Sequence, residues 1–415
     1  MKKIKVLSLF LTTTAPLFLL AQLQVKVINV AANDLVYDKN TDRIYAALNS
    51  ENGENGNSIG IINAGNNTIE KTIFIGSDPS VLAISDNGQY IYSGFKGSST
   101  VRQFDIASQT AGIQFGLGSD QHLGPYYAED IEVMPGSPST IAVARRNNCC
   151  SPRHEGVAIF DNGVMRSNTT PDHTGSNKIE FINANSLIGY NNETTEFGIR
   201  RMSVNNNGVN VTSITNNVLN NFSLDFIYHD NRMYSTDGKA VDTNFAPFVI
   251  GQFNSVNGPV TFDSYYNRVC YASYDWSGNI TFKRFNPDTF LLFDSLPITQ
   301  ANGNVKNLIT CGNGCYAFNT SDNKIVIIKD PALSTQDFNT DKTLTISPNP
   351  FSEFFNINYD NKIKEIQIVD FTGKVVKTIS NPDKTVYTNQ LSSGNYLLKI
   401  TDEKGKILTQ KVTKK

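Results

Sequence analysis

The sequence predicts an all-β protein, a seven-bladed β-propeller followed by a small immunoglobulin-like β-sandwich. Three observations predict it. Strand-like segments recur in groups of four at roughly 35 to 47 residues, the interval of propeller blades. Only 18% of the 415 residues are charged, while Asn, Ser, Thr and Gly are abundant, which is a loop-rich β composition. About three hundred residues lie between a leader-like start and a distinct final segment, too many for one sandwich and a comfortable size for a ring of blades.

The first unit reads as strands from Asp34, Arg43, Ser58 and Thr68, and the second as strands from Ser80, Tyr90, Thr100 and Ala111. Gly, Asn and Asp turns bound them, and the second strand of each is rich in Tyr, with Ala47 and its neighbours in the first unit. Further units span about residues 130–166, 178–215, 223–254 and 260–298. A last unit has only three strands, starting at Val305, Gly314 and Lys324. Its fourth is expected from Gln24 to Val30, which belongs to no unit. Such a closure leaves no open sheet edge between the first and last blades. The segment Ala83-Ile-Ser-Asp-Asn-Gly-Gln-Tyr-Ile-Tyr92, with the strand ending at Asp105, resembles repeats of the YVTN and lactonase-like propellers. That resemblance implies the ring and says little about activity.

With strands lettered A to D from the axis outward, B–C loops and D–A connections share one face, and loops on a rigid scaffold are where function concentrates. In the third unit the D–A connection from Asp120 and the B–C loop from Cys149 both depart from the repeat. They bring His122, Tyr126, Tyr127, Glu129, Asp130, Arg145, Arg146, Arg153 and His154 to one sector. Arginine suits a bidentate grip on carboxylate or phosphate, tyrosine suits stacking on a sugar, and His beside Glu or Asp suits proton exchange. The alternative is a structural role, in which Arg145 and Glu129 brace neighbouring blades and His154 is a loop residue. The strand A starts at Asp34, Asp130, Glu180 and Asp225 supply either an acidic channel lining or simple turn caps. No cofactor is expected, with one exception: the first B–C loop, Asn49 to Asn57, is rich in oxygens that suit calcium, although its spacing matches no calcium loop.

A formal charge of −2 gives no footprint for nucleic acid. Trp276 is the only tryptophan, whereas a quinone-cofactor propeller is expected to need many. The sequence has no Gly-x-Ser-x-Gly elbow, His-Glu-x-x-His helix or phosphate-cradling loop in a suitable context. Of the five cysteines, Cys311 and Cys315 straddle a tight hairpin and are a disulfide candidate. Cys149 and Cys150 are candidates for a vicinal disulfide, and Cys270 reads as a buried thiol. No paired Cys or His spacing recurs for zinc.

The two ends of the chain carry address signals. Met1-Lys-Lys-Ile-Lys5 is a basic start, Val6 to Leu20 is apolar, and Ala21 offers a small residue for cleavage, so residues 1–21 read as a signal peptide. The apolar run is short for a membrane span. At the other end, Leu344-Thr-Ile-Ser-Pro-Asn-Pro350 begins a module in which two prolines remove backbone donors. Asp370-Phe-Thr-Gly373 and Leu391-Ser-Ser-Gly-Asn-Tyr396 supply turns, and Lys411-Val-Thr-Lys-Lys415 closes it.

This order of motifs resembles the type A C-terminal sorting domain of the type IX secretion system of Bacteroidota. It falls on Pro348, Asn349, Pro350, Asp370, Gly373, Gly394, Tyr396, Lys411 and Lys414. The resemblance implies transit through the periplasm, the type IX machinery as partner, and then release or attachment to surface lipopolysaccharide. The expected organisation is a signal peptide at 1–21, a propeller at 22–330, a linker at 331–343 and the sorting domain at 344–415. The expected function is a secreted or cell-surface protein that binds a glycan, peptide or protein on its loop-rich face. An extracellular lactonase-like hydrolase using that face or the central channel is the alternative.

Overall fold

Each repeat folds as a four-stranded antiparallel sheet because its strands alternate side chains between two faces, and both faces must be buried against neighbouring sheets. The computed structural model describes residues 23–330, 344–359, 361–370, 374–403 and 407–415. It divides into two units at Asp330 and Pro331. The expected signal peptide, the linker and Gly373 lie outside the described residues.

The first unit contains seven four-stranded sheets, each pairing its strands in sequence order except the last. Blade I holds Ala32–Asp38, Arg43–Leu48, Ser58–Asn63 and Thr68–Phe74. Blade II runs from Pro79–Ile84 to Thr110–Gly116, and blade IV from Lys178–Asn183 to Gly208–Thr215. Blades V and VI start at Phe226–His229 and Val260–Asp263. Blade VII is built from Val305–Thr310, Cys315–Thr320 and Lys324–Lys329, and its fourth strand is Gln24–Asn29. That strand pairs antiparallel with Lys324–Lys329 from Gln24 opposite Lys329 to Asn29 opposite Lys324.

Blade III departs from the repeat. Its strands Tyr127–Val133, Thr140–Arg146 and His154–Asp161 are regular, but the fourth is only Val164–Met165. The chain beyond it returns to strand C through a bond from Thr170 N to Val157 O (3.0 Å) and a bridge between His173 and His154. The D–A connection before the blade folds into a small hairpin, Ser119–Asp120 against Gly124–Pro125, which the sequence pattern did not announce.

The core of the ring is divided among the interfaces between blades. Leu35, Ile44, Ile62, Ala317, Ile325 and Ile327 form the contact between blades VII and I. Val25 and Val27 of the closing strand pack with Phe282, Phe318 and Val326 between blades VI and VII. Strand B tyrosines add a second tie: Tyr45, Tyr92, Tyr190, Tyr234, Tyr271 and Tyr316 are all fully buried. Several of their hydroxyls reach an adjacent blade, Tyr92 to Pro138 O (2.9 Å) and Tyr271 to Ser235 O (3.1 Å). A buried phenol thus supplies area and a satisfied polar tip at once.

The cysteines fall as expected from spacing. Cys311 and Cys315 are bonded across the A–B hairpin of blade VII, Cys149 is bonded to Cys150, and Cys270 is buried and free.

The second unit is a sandwich. A three-stranded sheet of Thr345–Ser347, Phe354–Asn358 and Thr385–Tyr387 faces a four-stranded one ordered Val375–Ser380, Ile363–Val369, Gly394–Asp402, Ile407–Lys414. Phe351, Phe355, Ile366, Ile368, Leu398, Ile400 and Val412 fill the space between them.

Removing the closing strand Gln24–Asn29 would strip Lys324–Lys329 of its outer partner and uncover Val326 and Ile328 at a bare edge. The full chain without residues 23–30 is expected to self-associate and to melt lower by on the order of 5–10 °C. Size-exclusion chromatography and a thermal scan check this; an unchanged monomer with an unchanged midpoint would contradict the closure.

Candidate functional site at the channel mouth

The strand A starts of all seven blades meet at the axis, where they enclose a cavity of about 280 Å³. Asn33, Asp34, Ser80, Glu129, Asp130, Glu132, Lys178, Glu180, Asp225, Lys306 and Asn307 supply its polar walls. Most of these positions precede strand A or lie in its first half, with Glu132 further along its strand, so the cavity opens at the channel mouth on the face of the D–A connections. Alternation explains the doublets: Asp130 and Glu132 share one side of their strand, as do Lys178 and Glu180 of the next.

Part of the acidic ring is structural. Asp34 accepts from its own neighbour Leu35 N (2.8 Å) and from Leu82 N of blade II (2.8 Å). Asp130 repeats the pattern, accepting from Ile131 N (3.2 Å) and from Ile179 N of blade IV (2.9 Å). Asn307 of blade VII donates to Asp34 and to Leu35 O (3.0 Å), completing a tie from the last blade to the first. These carboxylates staple one blade to the next, which differs from the turn-capping role open to them in the sequence.

Crowding so many carboxyls raises their proton affinity. Burial pushes Asp34 up to about 6, although the bonds from Leu82, Leu35 and Asn307 pull the other way. Burial pushes Asp130 up to about 7, with Lys178 opposing and Asp225 adding to the rise. Glu132 and Glu180 are raised well above the usual range by burial and by the other carboxyls. Lys178 sits among them, 2.9 Å from Asp225. Burial works against its ammonium, but Asp130, Asp225 and Glu129 together outweigh it and hold it charged.

A second hollow of about 260 Å³ adjoins on the same face between blades III, IV and V. It shares Glu129 and Lys178 with the channel mouth and adds Arg153, Asn177, Asn192, Glu193, Phe222 and Ser223. Phe222 is 57% exposed there, its ring set edge-on to Phe197 with centroids 4.7 Å apart.

The sector expected from sequence divides into three parts. Glu129 and Asp130 line the channel mouth, and behind them the Arg146 Nε lies 2.9 Å from Glu129 but too poorly aligned for a hydrogen bond. Arg153 holds Glu193 of the next blade through its backbone N (3.0 Å) and its Nε (2.8 Å), so the B–C loop of blade III is tied to blade IV. Arg145 and His154 are buried inside the blade. Arg145 donates to Gly156 O (3.4 Å) and Leu117 O (3.3 Å), and its guanidinium lies 5.1 Å from the Tyr126 ring centre. It braces blade III against the end of blade II.

His154 corrects the expectation of proton exchange. The ring is 1% exposed, neither nitrogen has a hydrogen-bond partner, and Gly175 covers it so closely that a Cβ there would stand 2.1 Å from Nε2. Burial, together with the charges of Arg200 and Arg145, lowers it to about 3, so it stays neutral. His122 is exposed on the hairpin loop, its backbone N bonded to Asp120 (2.7 Å), and Tyr127 is half-buried and paired with Arg146 in the sheet. Cys149 and Cys150 are exposed at the loop tip, where both backbone N–H groups donate to the buried Asn147 (2.9 Å each).

The first B–C loop spends its oxygens on the ring. Asn52 bonds both ways with Ala31 (2.9 and 2.7 Å), and Glu51 accepts from Asn323 of blade VII (2.9 Å). Among the described residues no three His, Cys, Asp or Glu side chains are grouped to hold a metal ion.

Sequence reasoning missed Glu132, Lys178, Glu193 and Phe222. For the first two a signal existed: charges at alternate positions of an innermost strand, as in Glu132 after Asp130, have no place in a dry core and point to a wet channel.

Folding takes up protons here, because these carboxyls hold their protons to higher pH in the ring than in the unfolded chain. Their contribution to stability is full below the usual carboxylate range and is lost as pH rises through about 6 and about 7 for Asp34 and Asp130. His154 acts oppositely below its ordinary value of 6.5, where the unfolded chain protonates first. A Glu132→Gln variant isolates the carboxyl effect. It is expected to stabilise the propeller at pH 8 by about 1 kcal/mol or more, with the gain shrinking at pH 5. Denaturant titrations at both pH values check it, and equal effects at pH 5 and 8 would contradict it.

Comparison with known proteins places both units. The structure is similar to the Myceliophteria thermophila Cps50 (Swd1) beta-propeller domain, with a TM-score of 0.57 and 11% identity over 73% of this chain and 98% of that one. It is similar also to Kuenenia stuttgartiensis hydrazine synthase, with a TM-score of 0.54 and 12% identity over 72% of this chain and 96% of that one. At such identities the likeness shows the fold alone. No curated protein matches the chain. Residues 345–415 match the family described as Secretion system C-terminal sorting domain. The chain is therefore a β-propeller carrying a type IX secretion sorting domain, addressed for export to the cell surface or beyond.

Proposed function

We propose that this is an exported binding protein whose propeller takes its ligand at the channel mouth, on the face of the B–C loops and D–A connections. The observation that carries the reading is the pair of hollows sharing Glu129 and Lys178 as walls. Their lining combines carboxyls that accept or donate according to protonation, the cationic groups of Lys178, Lys306 and Arg153, amides and the exposed phenyl ring of Phe222. That set suits a glycan or a peptide presenting hydroxyl and ammonium groups, with Phe222 as the apolar platform. The other sequence-expected groups do not add a catalytic set, since Arg145 and His154 are sealed inside the blade. Export would begin with the leader at residues 1–21, and the cargo would be released or fixed to surface lipopolysaccharide.

A second reading, lactone hydrolysis, would use Asp130, which lines the channel and whose carboxyl burial pushes up to about 7, a suitable value for a general base near neutral pH.

A glycan and peptide array with the purified protein separates the two. The expected result is saturable binding that weakens about tenfold or more in Asp225→Asn and in Phe222→Ala, each removing one or more recognition contacts of about 1.4 kcal/mol. Binding untouched by both substitutions would place the ligand elsewhere. Turnover in a lactone panel that Asp130→Asn abolishes would support the hydrolase.

A further inference from the structure

The two disulfides of the protein lie in opposite surroundings. Cys311 and Cys315 are 3% and 6% exposed, inside the core where blades VII and I meet. Cys149 and Cys150 sit at the tip of the B–C loop of blade III, in a run from Asn148 to Ser151 that is exposed throughout. The thiol of Cys270 is fully buried, and that burial pushes it well above its ordinary value. A thiol must be ionised and within reach to attack a disulfide, so Cys270 takes no part in exchange. The bond open to a soluble thiol is the one between Cys149 and Cys150.

A disulfide restrains the unfolded chain more as the loop it closes grows longer, and a bond between sequence neighbours closes the shortest loop there is. It therefore adds little to global stability, and its effect is local. Asn147, fully buried, is the fixed point of that locality. Its Oδ1 accepts from both Cys149 N and Cys150 N (2.9 Å each), two donors that the bonded pair holds together on one oxygen. Asn147 N donates to Arg153 O (2.8 Å) and its Nδ2 to the buried Glu155 (2.7 Å), which draws the loop back onto the start of strand C.

The same loop ends at a wall of the second hollow. Ser151 and Pro152 alone separate Cys150 from Arg153. Arg153 gives its backbone N (3.0 Å) and its Nε (2.8 Å) to Glu193 of blade IV, which also accepts from Asn177 Nδ2 (3.3 Å). Arg153, Asn177 and Glu193 all line that hollow.

We propose that the Cys149 and Cys150 pair is a reversible thiol–disulfide exchange site for a low-molecular-weight dithiol, and that its oxidation state sets whether Arg153 holds the wall of the second hollow. A thiolate of the small dithiol attacks one sulfur, the bond between the cysteines breaks, and its electron pair leaves on the other sulfur, which takes a proton. The second thiol of the reagent then displaces the first cysteine. The products are two protein thiols and one cyclic small-molecule disulfide, two electrons having passed to the protein. An oxidised dithiol runs the steps in reverse. Opening the bond releases the two N–H groups from their shared acceptor and loosens the loop, and the contact from Arg153 to Glu193 loosens with it. Control of a ligand by this site rests on the binding role proposed above, whereas the exchange chemistry and the loop do not depend on it.

The test treats the purified protein at about pH 8 with dithiothreitol and then with its oxidised form. Alkylation and mass spectrometry locate the thiols, and amide exchange is followed at Cys149, Cys150, Arg153 and Ser223. The expected result is two new thiols, at Cys149 and Cys150, with Cys311 and Cys315 still bonded and the melting midpoint unchanged. Exchange at Arg153 is expected to quicken about tenfold or more, the scale of losing a bond to a charged group, and to slow again on reoxidation. The double variant Cys149→Ser, Cys150→Ser is expected to exchange fast with no response to either reagent. Glu193→Gln is expected to leave the pair reducible while Arg153 exchanges fast in both states. A pair that stays bonded until the propeller unfolds would overturn the proposal. So would opening of Cys311 and Cys315 just as readily, or reduction that leaves exchange at Arg153 unchanged. No ligand enters this test, so a silent glycan and peptide array would count against the binding role alone.

Discussion

The closing of the ring is the constraint on which the rest depends. A sheet with one uncovered face or one bare edge is unstable in water, and a row of seven sheets solves this only if the last meets the first. The chain meets the requirement by pairing Gln24–Asn29 with Lys324–Lys329, so that one sheet holds strands from both ends of the unit. Leu35 and Ile327 then share a core, and Asn307 and Asn319 reach the backbone of blade I at Leu35 (3.0 Å) and Ala32 (2.8 Å).

Closure also creates the channel and its chemistry. Strand A of each blade faces the axis, and polar side chains from several blades line the cavity there. Some acidic groups there serve the architecture, as the Asp34 and Asp130 bridges to Leu82 and Ile179 make plain. Glu132 and Glu180 add charge that burial makes unfavourable, and their retained protons are the physical consequence. This arrangement costs stability at neutral pH, and Lys178 at its centre adds a donor of opposite sign, which supports the binding role proposed above.

The ring and the second sandwich were legible in the sequence because both rest on periodicity. The first two units and the closing strand could be read from alternation and turn residues alone, and the sorting module from its prolines and glycines. Blade III was legible only in part, because its fourth strand shrinks to Val164–Met165 and a hairpin forms at Ser119–Asp120. The site was less legible still. Spacing brought Arg145 and His154 to the right blade but not to its surface. Whether such a side chain faces solvent or the neighbouring sheet depends on one residue of register and on how close Gly175 approaches, and neither is written in composition. Lys178 and Glu132 were missed because only the acidic residues at the strand A starts were weighed as channel lining or caps, which passed over a cation at one start and a second carboxyl further along another strand.

Ring closure gathers the strand A carboxyls into one mouth, where burial and mutual repulsion favour their protonated forms. The most direct measurement is a ¹³C NMR titration of the side-chain carboxyls in the folded protein. Asp130 is expected to titrate near 7, and Glu132 and Glu180 well above the usual carboxylate range. If all three titrate near 4, like carboxyls in open water, the mouth is an ordinary solvated surface and the account is wrong.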